Sequence, residues 1–185
     1  KQLAFDGAKI IVMTQGELKK ILESQKWINK VISYDDEVPD CDYYTYLLSI
    51  PKVLEWNPKM DTQTHPYLEI DKENFSEILP DKKNIGYLLA PDMNSSTAKQ
   101  TAIPEKDISS LIDTKNINFI NLSEIKDIDV LAGIIQNLDL VMCVESDLAY
   151  LAGSLNIPTF LILSVVPKHL WDLSYKSTSP WYPSL

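Results

Sequence analysis

The sequence predicts an α/β protein built on a three-layer, Rossmann-like parallel sheet, and three observations lead to this prediction. Residues 139–163, DLVMCVESDLAYLAGSLNIPTFLIL, contain two short, continuously apolar runs of the kind found in strands buried on both faces. A segment of helical character separates the two runs, as in a right-handed parallel crossover. Further upstream, apolar runs alternate with amphipathic segments in the same way, which favours one parallel sheet covered by helices.

The crossover itself divides into a strand from Leu140 to Val144, a helix from Ser146 to Leu155 and a second strand from Pro158 to Leu163. In such a unit the first turn of the helix lies at the carboxyl edge of the sheet. Unpaired backbone N–H groups and the positive end of the helix dipole can receive an anion there. We therefore expect a ligand near Glu145 and Ser146.

The other elements follow from the same patterns. The predicted strands are Ala8 to Thr14, Lys30 to Tyr34, Asn84 to Ala90 and Asn116 to Leu122. The predicted helices are Glu17 to Ser24, Asp71 to Leu79, a helix opened by Pro104, and Asp127 to Leu138. Residues 57–66 are polar with proline near both ends, which is typical of a linker. We expect a partial Rossmann-like domain over residues 1–60 and a complete one over residues 61–185.

Composition limits the classes of partner. The 185-residue chain has a formal net charge of −9, which disfavours nucleic acid and anionic membrane surfaces as partners. All 17 basic residues are lysines, so the chain lacks the bidentate phosphate ligand that arginine provides. No apolar run approaches the roughly 20 residues needed to cross a bilayer, and no signal peptide is recognisable. We expect a cytoplasmic protein with reduced thiols at Cys41 and Cys143.

Familiar catalytic and metal-binding motifs are absent from the sequence. It contains no nucleophile elbow, no glycine-rich phosphate loop and no paired-cysteine motif, so neither a cofactor nor a metal is expected. The acidic run at residues 35–40 is interpreted as a solvated loop, because it lacks a glycine at the sharp turn and the spacing of a calcium loop. The aromatic tail, residues 165–185, is expected to cover the core, with a cleft lined by Trp171, Trp181 or Tyr182 as the alternative.

A series of short motifs in the second half resembles a known family. Glu145 and Ser146 end a strand, Tyr150 precedes Leu-Ala-Gly within the next helix, Pro158 opens the following strand, and Ser-Pro-Trp-Tyr-Pro occupies residues 179–183. This order resembles the carboxyl-terminal half of bacterial glycosyltransferases of the two-Rossmann-domain (GT-B) type. The most similar group is the one found after tetratricopeptide repeats and related to the lipopolysaccharide heptosyltransferases. Three upstream segments resemble the end of that family's first domain and the crossing into its second. They are GAKIIVMTQGELKKIL, DCDYYTYLLSIPKVL and HPYL.

The resemblance implies an activity and a set of site residues. Its members transfer a sugar from a nucleotide-sugar donor, hold the diphosphate at a helix N-terminus and need no obligatory metal. The acceptor, a protein or a saccharide, enters from the first domain. Carried over to this chain, the expected donor-binding residues are Lys99, Glu145, Ser146, Asp147, Tyr150 and Gly153, whereas no catalytic residue is identified.

This chain departs from the family pattern at the positions expected to bind the donor. The family has Asp-Thr where this chain has Glu145 and Ser146, and His where it has Tyr150. Lys99 stands in a loop that is rich in arginine in the family. We therefore expect a glycosyltransferase-like domain whose activity is weakened or lost, the alternative being an inactive domain that serves as a binding or interaction module. A flavodoxin-like or receiver domain shares the strand and helix alternation, but residues 14–16 supply neither a phosphate loop nor a phospho-acceptor.

Overall fold

The computed structural model describes residues 1–55, 66–70, 75–90, 102–107, 114–164, 171, 179 and 181–185. The chain divides into two compact units, residues 1–64 and residues 65–185. Most of the predicted linker lies outside the described residues. Both units contain parallel strands connected through helices, so the predicted α/β class with parallel sheets is confirmed.

The first unit contains a β-α-β start, as predicted. Its elements are α1 (Gln2–Phe5), β1 (Ile11–Thr14), α2 (Gly16–Glu23), β2 (Lys30–Ser33), a 3-10 turn (Leu47–Ser49) and α3 (Ile50–Val53). The two strands pair in parallel, with Ile11 opposite Lys30. Ile21 of α2 and two neighbouring side chains of β2, Val31 and Ile32, are the buried apolar side chains among the described residues of this unit.

The second unit contains a four-stranded parallel sheet. Its elements are β3 (Lys83–Leu88), a 3-10 turn (Glu105–Asp107), β4 (Ile117–Asn121), α4 (Ile128–Ile135), β5 (Leu140–Val144), α5 (Asp147–Ser154) and β6 (Thr159–Ile162). The strand order is β4-β3-β5-β6, and every neighbouring pair is parallel. The connections from β4 to β5 and from β5 to β6 run in the same direction across the sheet. Because parallel crossovers are right-handed, α4 and α5 lie on the same face of the sheet.

The core of the second unit lies between β5 and this helical face. Val141, Cys143 and Val144 of β5 are almost fully buried, as are Ile134 and Ile135 of α4. The strand was predicted with the observed bounds because a strand buried on both faces has a continuous apolar sequence. Burial also raises the pKa of the Cys143 thiol to about 12.

One predicted helix is wrong in its described part. Residues 75–79 of the predicted helix Asp71 to Leu79 contain a turn at residues 76–77 and no helix, and residues 71–74 lie outside the described residues. The backbone N–H of Leu79 donates to Oδ1 of Asn84 at 2.9 Å, so a side chain replaces the helical carbonyl partner. The helix opened by Pro104 is described only as the 3-10 turn Glu105–Asp107, and its remainder lies outside the described part of the chain.

Asn84 organises the amino-terminal edge of the sheet. The side chain is 5% exposed and makes four hydrogen bonds. Its Oδ1 accepts from Leu79 N and from Asn118 Nδ2, both at 2.9 Å, and its Nδ2 donates to the carbonyls of Leu79 and Lys82 at 3.0 and 3.2 Å. Every donor and acceptor of this amide is therefore satisfied. The network holds the turn before β3 against β4.

We expect Asn84→Ala to lower the free energy of unfolding by about 2 to 4 kcal/mol, because several buried polar groups lose their partner at once. Chemical denaturation of the full chain measures this loss. Asn121→Ala is the matched control, since Asn121 is exposed and bonds only the nearby N–H of Ser123 among the described contacts. Equal losses in the two variants would contradict the role assigned to Asn84.

The two cysteines should differ in reactivity. Both are free thiols, but Cys41 is exposed whereas Cys143 is buried with a raised pKa. Because the thiolate is the reactive form, a disulfide reagent should modify Cys41 in the native protein and Cys143 only after denaturant is added. Counting the released chromophore, with Cys41→Ser as the control, measures this difference. Rapid native labelling of Cys143 would contradict the packing of β5.

Candidate functional site

The order of the strands creates a candidate binding site at the carboxyl edge of the second unit. From β3 the chain passes to β4 on one side and then returns to β5 on the other side. The connections leaving β3 and β5 therefore run in opposite directions, which opens a crevice outside the carboxyl ends of these two strands. Leu88 lies opposite Cys143 in the register, so the residues that follow each of them border this crevice.

On the β3 side of the crevice, a later segment of the chain packs against the residues that end and follow β3. The backbone N–H of Ile103 donates to the carbonyl of Leu89 at 2.8 Å. Tyr87 and Leu89 are buried, and Ile103, Phe119 and Met142 pack against them. Lys99 belongs to the segment between Leu89 and Ile103, but it lies outside the described residues.

The β5 side of the crevice is the start of α5. Ser146 occupies the N-cap position with extended backbone angles, yet its side chain makes no capping hydrogen bond. Its Oγ instead donates to the carbonyl of Val144 at 3.0 Å. In α4, by contrast, the carboxylate of Asp127 accepts from the N–H groups of Asp129 and Val130. The side chain of Ser146 therefore does not cap α5. Among the first-turn N–H groups, that of Ala149 donates to the carbonyl of Ser146 at 3.1 Å, whereas those of Asp147 and Leu148 precede the first intrahelical bond.

Two carboxylates flank these donors. Glu145 is half-buried, and Asp147 is exposed in the first turn of the helix. Both charges interact favourably with the positive end of the helix dipole. They would also repel a phosphate, so this edge combines the backbone N–H groups of a helix start with an acidic border.

Tyr150 lies one turn farther along α5, where it packs against aromatic residues of the tail. Its ring stacks on Trp171 with centroids 5.3 Å apart and an interplanar angle of 13°. Tyr182 lies about equally far from both rings, at 6.1 and 6.0 Å, and Tyr67 contacts Tyr182 edge to face. We call Tyr67, Tyr150, Trp171 and Tyr182 the aromatic cluster. Trp171 is 5% exposed, so this part of the tail covers α5 as expected.

Gly153 belongs to the same contact. A Cβ atom at this position would lie 2.5 Å from Cδ1 of Tyr182 and 3.0 Å from Leu185. Only a glycine lets the ring of Tyr182 lie directly on the helix backbone. Since Gly153 is six residues beyond Asp147, it lies roughly 9 Å along the helix axis from the first turn. The structure thus brings Glu145, Ser146 and Asp147 together but separates Gly153 from them.

Hydrogen bonds attach the end of the tail to the rest of the second unit. The hydroxyl of Tyr67 donates to the carbonyl of Trp181 at 2.7 Å, and the N–H of Thr159 donates to the carbonyl of Ser184 at 2.9 Å. Burial, together with the nearby Tyr182, raises the pKa of Tyr67 to about 12. Burial likewise raises the pKa of Tyr182. Both phenols stay neutral at physiological pH, which suits a packed cluster and excludes a role as general base.

Neither a family model, nor a curated protein, nor a solved structure matches this chain. In the described part of the chain, no group of three or more His, Cys, Asp or Glu side chains is arranged to hold a metal ion. No helix there is long and apolar enough to cross a membrane. Sequence reasoning located the start of α5 but missed the cluster, because contacts such as that between Tyr67 and Tyr182 join positions that no local pattern connects.

We expect Gly153→Ala to destabilise the second unit by about 1 to 3 kcal/mol, because the new methyl group displaces the ring of Tyr182. Denaturation followed by tryptophan fluorescence measures this change. In a Tyr182→Ala background the same substitution should cost much less, since the obstructing ring is gone.

Gly16→Ala is the matched control. Gly16 also lies in a helix, but no atom lies within 4 Å of its added Cβ, so alanine should leave stability unchanged or raise it slightly. A cost at Gly153 that persists without the Tyr182 ring would contradict the packing explanation.

Proposed function

We propose that residues 65–185 form a GT-B type donor-binding domain that binds a nucleotide sugar at the carboxyl edge of its sheet. The protein would then be a glycosyltransferase-like protein with weakened or lost activity. One observation carries the proposal: α5 begins beside the crevice between β3 and β5, and the side chain of its N-cap residue does not occupy its first-turn N–H groups. A parallel sheet binds its ligand at such a crevice in most folds of this class.

The packing of the tail adds support for the resemblance. The Leu-Ala-Gly sequence of α5 and the Ser-Pro-Trp-Tyr-Pro sequence near the end of the chain are the two most distinctive shared motifs. The ring of Tyr182, in the second motif, packs directly against Gly153, in the first. The two motifs therefore depend on each other physically, which gives a reason for their joint occurrence in one protein.

The expected chemistry is sugar transfer with departure of a nucleoside diphosphate. The first-turn N–H groups of α5, starting at Ser146, would hold the diphosphate, and an acceptor hydroxyl would attack the anomeric carbon of the sugar. Stabilising the charge that develops on the leaving diphosphate is usually the largest contribution of such a site. This chain has no arginine to share that charge, and Glu145 and Asp147 add negative charge beside it. A reduced rate follows from this balance.

An inactive domain is the second candidate, and the acidic border favours it. If Glu145 and Asp147 prevent diphosphate from binding, the fold remains but the donor site is lost. The domain would then serve as a binding or interaction module. The two candidates differ in one measurable property, which is whether a nucleoside diphosphate binds at the start of α5.

Titration with UDP, GDP and ADP and their sugar derivatives separates the candidates. A ligand that binds only the native state raises the melting temperature, so thermal unfolding at low and at physiological salt gives a direct measure. A rise that is specific for one nucleotide supports donor binding. No rise with any of them at millimolar concentration would overturn the first candidate and leave the interaction module.

A matched pair of substitutions at Ser146 tests the location of the site. Ser146→Asp places a carboxylate at the N-cap, where it occupies the first-turn N–H groups and repels phosphate, so nucleotide affinity should fall at least about tenfold while the fold is retained. Ser146→Ala removes only the hydrogen bond to Val144 and should keep affinity within a few-fold. Calorimetric titration with the best nucleotide measures both. Unchanged affinity in Ser146→Asp would show that the ligand binds elsewhere.

A further inference from the structure

A run of exposed apolar side chains in the first unit has no role in the proposed function. Residues 43–48, which we call the aromatic segment, have the sequence Tyr-Tyr-Thr-Tyr-Leu-Leu. The exposed fractions are 93% for Tyr43, 90% for Tyr44, 79% for Tyr46, 80% for Leu47 and 93% for Leu48.

This exposure is large for one continuous segment. At the roughly 150 to 250 Å² that an aromatic side chain offers, the three tyrosines alone expose on the order of 500 Å². The largest apolar patch of a typical monomer is about 300 to 600 Å², and the two leucines add to the area here. An exposed apolar area of this size within one short segment is typical of a surface that binds another molecule.

The residues that precede the aromatic segment define its electrostatic surroundings. Residues 35–42, the acidic turn, contain Asp35, Asp36, Glu37, Asp40 and Asp42, all exposed. Asp36 accepts hydrogen bonds from the backbone of Ser33 and from the ammonium group of Lys19, which lower its pKa. Among the described contacts, the other four carboxylates have no basic neighbour. No residue from 31 to 51 is basic, so the chain that leads into the aromatic segment is negative, and the next basic residue is Lys52.

From this combination we infer that the acidic turn and the aromatic segment together bind a basic amphipathic helix of another protein. The tyrosine and leucine side chains contact the apolar face of that helix, and the four carboxylates contact its flanking lysine or arginine residues. Tyrosine suits this role because it offers a large contact area at a small cost in side-chain entropy. Charge complementarity orients the partner and speeds its association.

Other occupants fit the charges less well. An anionic membrane surface or a nucleic acid meets like charge at the acidic turn. A second copy of this chain would place two acidic turns close together, and each copy carries a net charge of −9. With a basic partner, the same four carboxylates form favourable ion pairs and contribute to specificity.

Three labelled helical peptides test the inference with the full chain. The first has leucine on one face and lysine on the other, the second has glutamate in place of lysine, and the third has serine in place of leucine. We expect binding of the first peptide only, with an affinity that falls as salt is raised, because ion pairs at the surface are screened. Fluorescence anisotropy measures all three.

Substitutions then locate the contact. The double variant Tyr43→Ser/Tyr44→Ser should weaken binding at least about tenfold, and Asp40→Asn/Asp42→Asn should weaken it and reduce its salt dependence. Both pairs are exposed, so neither change should disturb the fold. Phe5→Ser is the matched control, because Phe5 is 88% exposed in the same unit but lies outside the segment.

Three outcomes would overturn the inference. The first is equal binding of the lysine and glutamate peptides, or no binding of any peptide. The second is a loss of affinity in the aspartate variant with none in the tyrosine variant, since charge alone would then explain the interaction. The third is a dimer in sedimentation experiments that dissociates in the tyrosine variant, which would assign the surface to a second copy of the chain.

Discussion

The central position of β3 constrains the rest of the second unit. β3 pairs with β4 on one side and with β5 on the other, so the fold cannot form without it. Asn84 fastens its start to the preceding turn, and Gly86 leaves room in its middle for the side chains of Leu122 and Leu138. Its carboxyl end borders the crevice that the strand order creates. β3 therefore anchors the sheet, allows close packing at Gly86 and forms one wall of the candidate site.

The two ends of α5 serve different purposes. At the first turn, Ser146 turns its hydroxyl back to Val144, so its side chain caps none of the backbone N–H groups there. At the last turn, Gly153 brings the backbone against Tyr182, and Ser154 accepts hydrogen bonds from Tyr67 and Leu68 through its carbonyl. This firm attachment at one end fixes the direction of the other. The described tail residues thus help to fix the position of the candidate site.

Negative charge predominates in this chain, whose formal net charge is −9. Lys19 pairs with Asp36, and Lys83 pairs with Asp139. The backbone N–H of Ser33 and then Lys19 lower the pKa of Asp36, whereas Lys83 and then the backbone N–H of Asn84 lower the pKa of Asp139. Carboxylates dominate both the start of α5 and the acidic turn. Among the described residues at the start of α5, the backbone N–H groups are what attracts an anionic ligand, whereas a cationic protein segment meets a favourable field at the acidic turn.

The sequence alone determined the α/β class, the parallel crossover and the location of β5 and α5, because burial on both faces imposes a continuous apolar run and an N-cap residue interrupts it. It also indicated the acid-rich start of α5. Only the tertiary structure decided the strand order, the turn that replaces a helix before Asn84, and the packing of Tyr150 and Gly153 under the tail. These features depend on contacts between residues far apart in the chain, such as Tyr67 with Tyr182. No local pattern of polarity encodes which distant side chain will satisfy a backbone group or cover a helix.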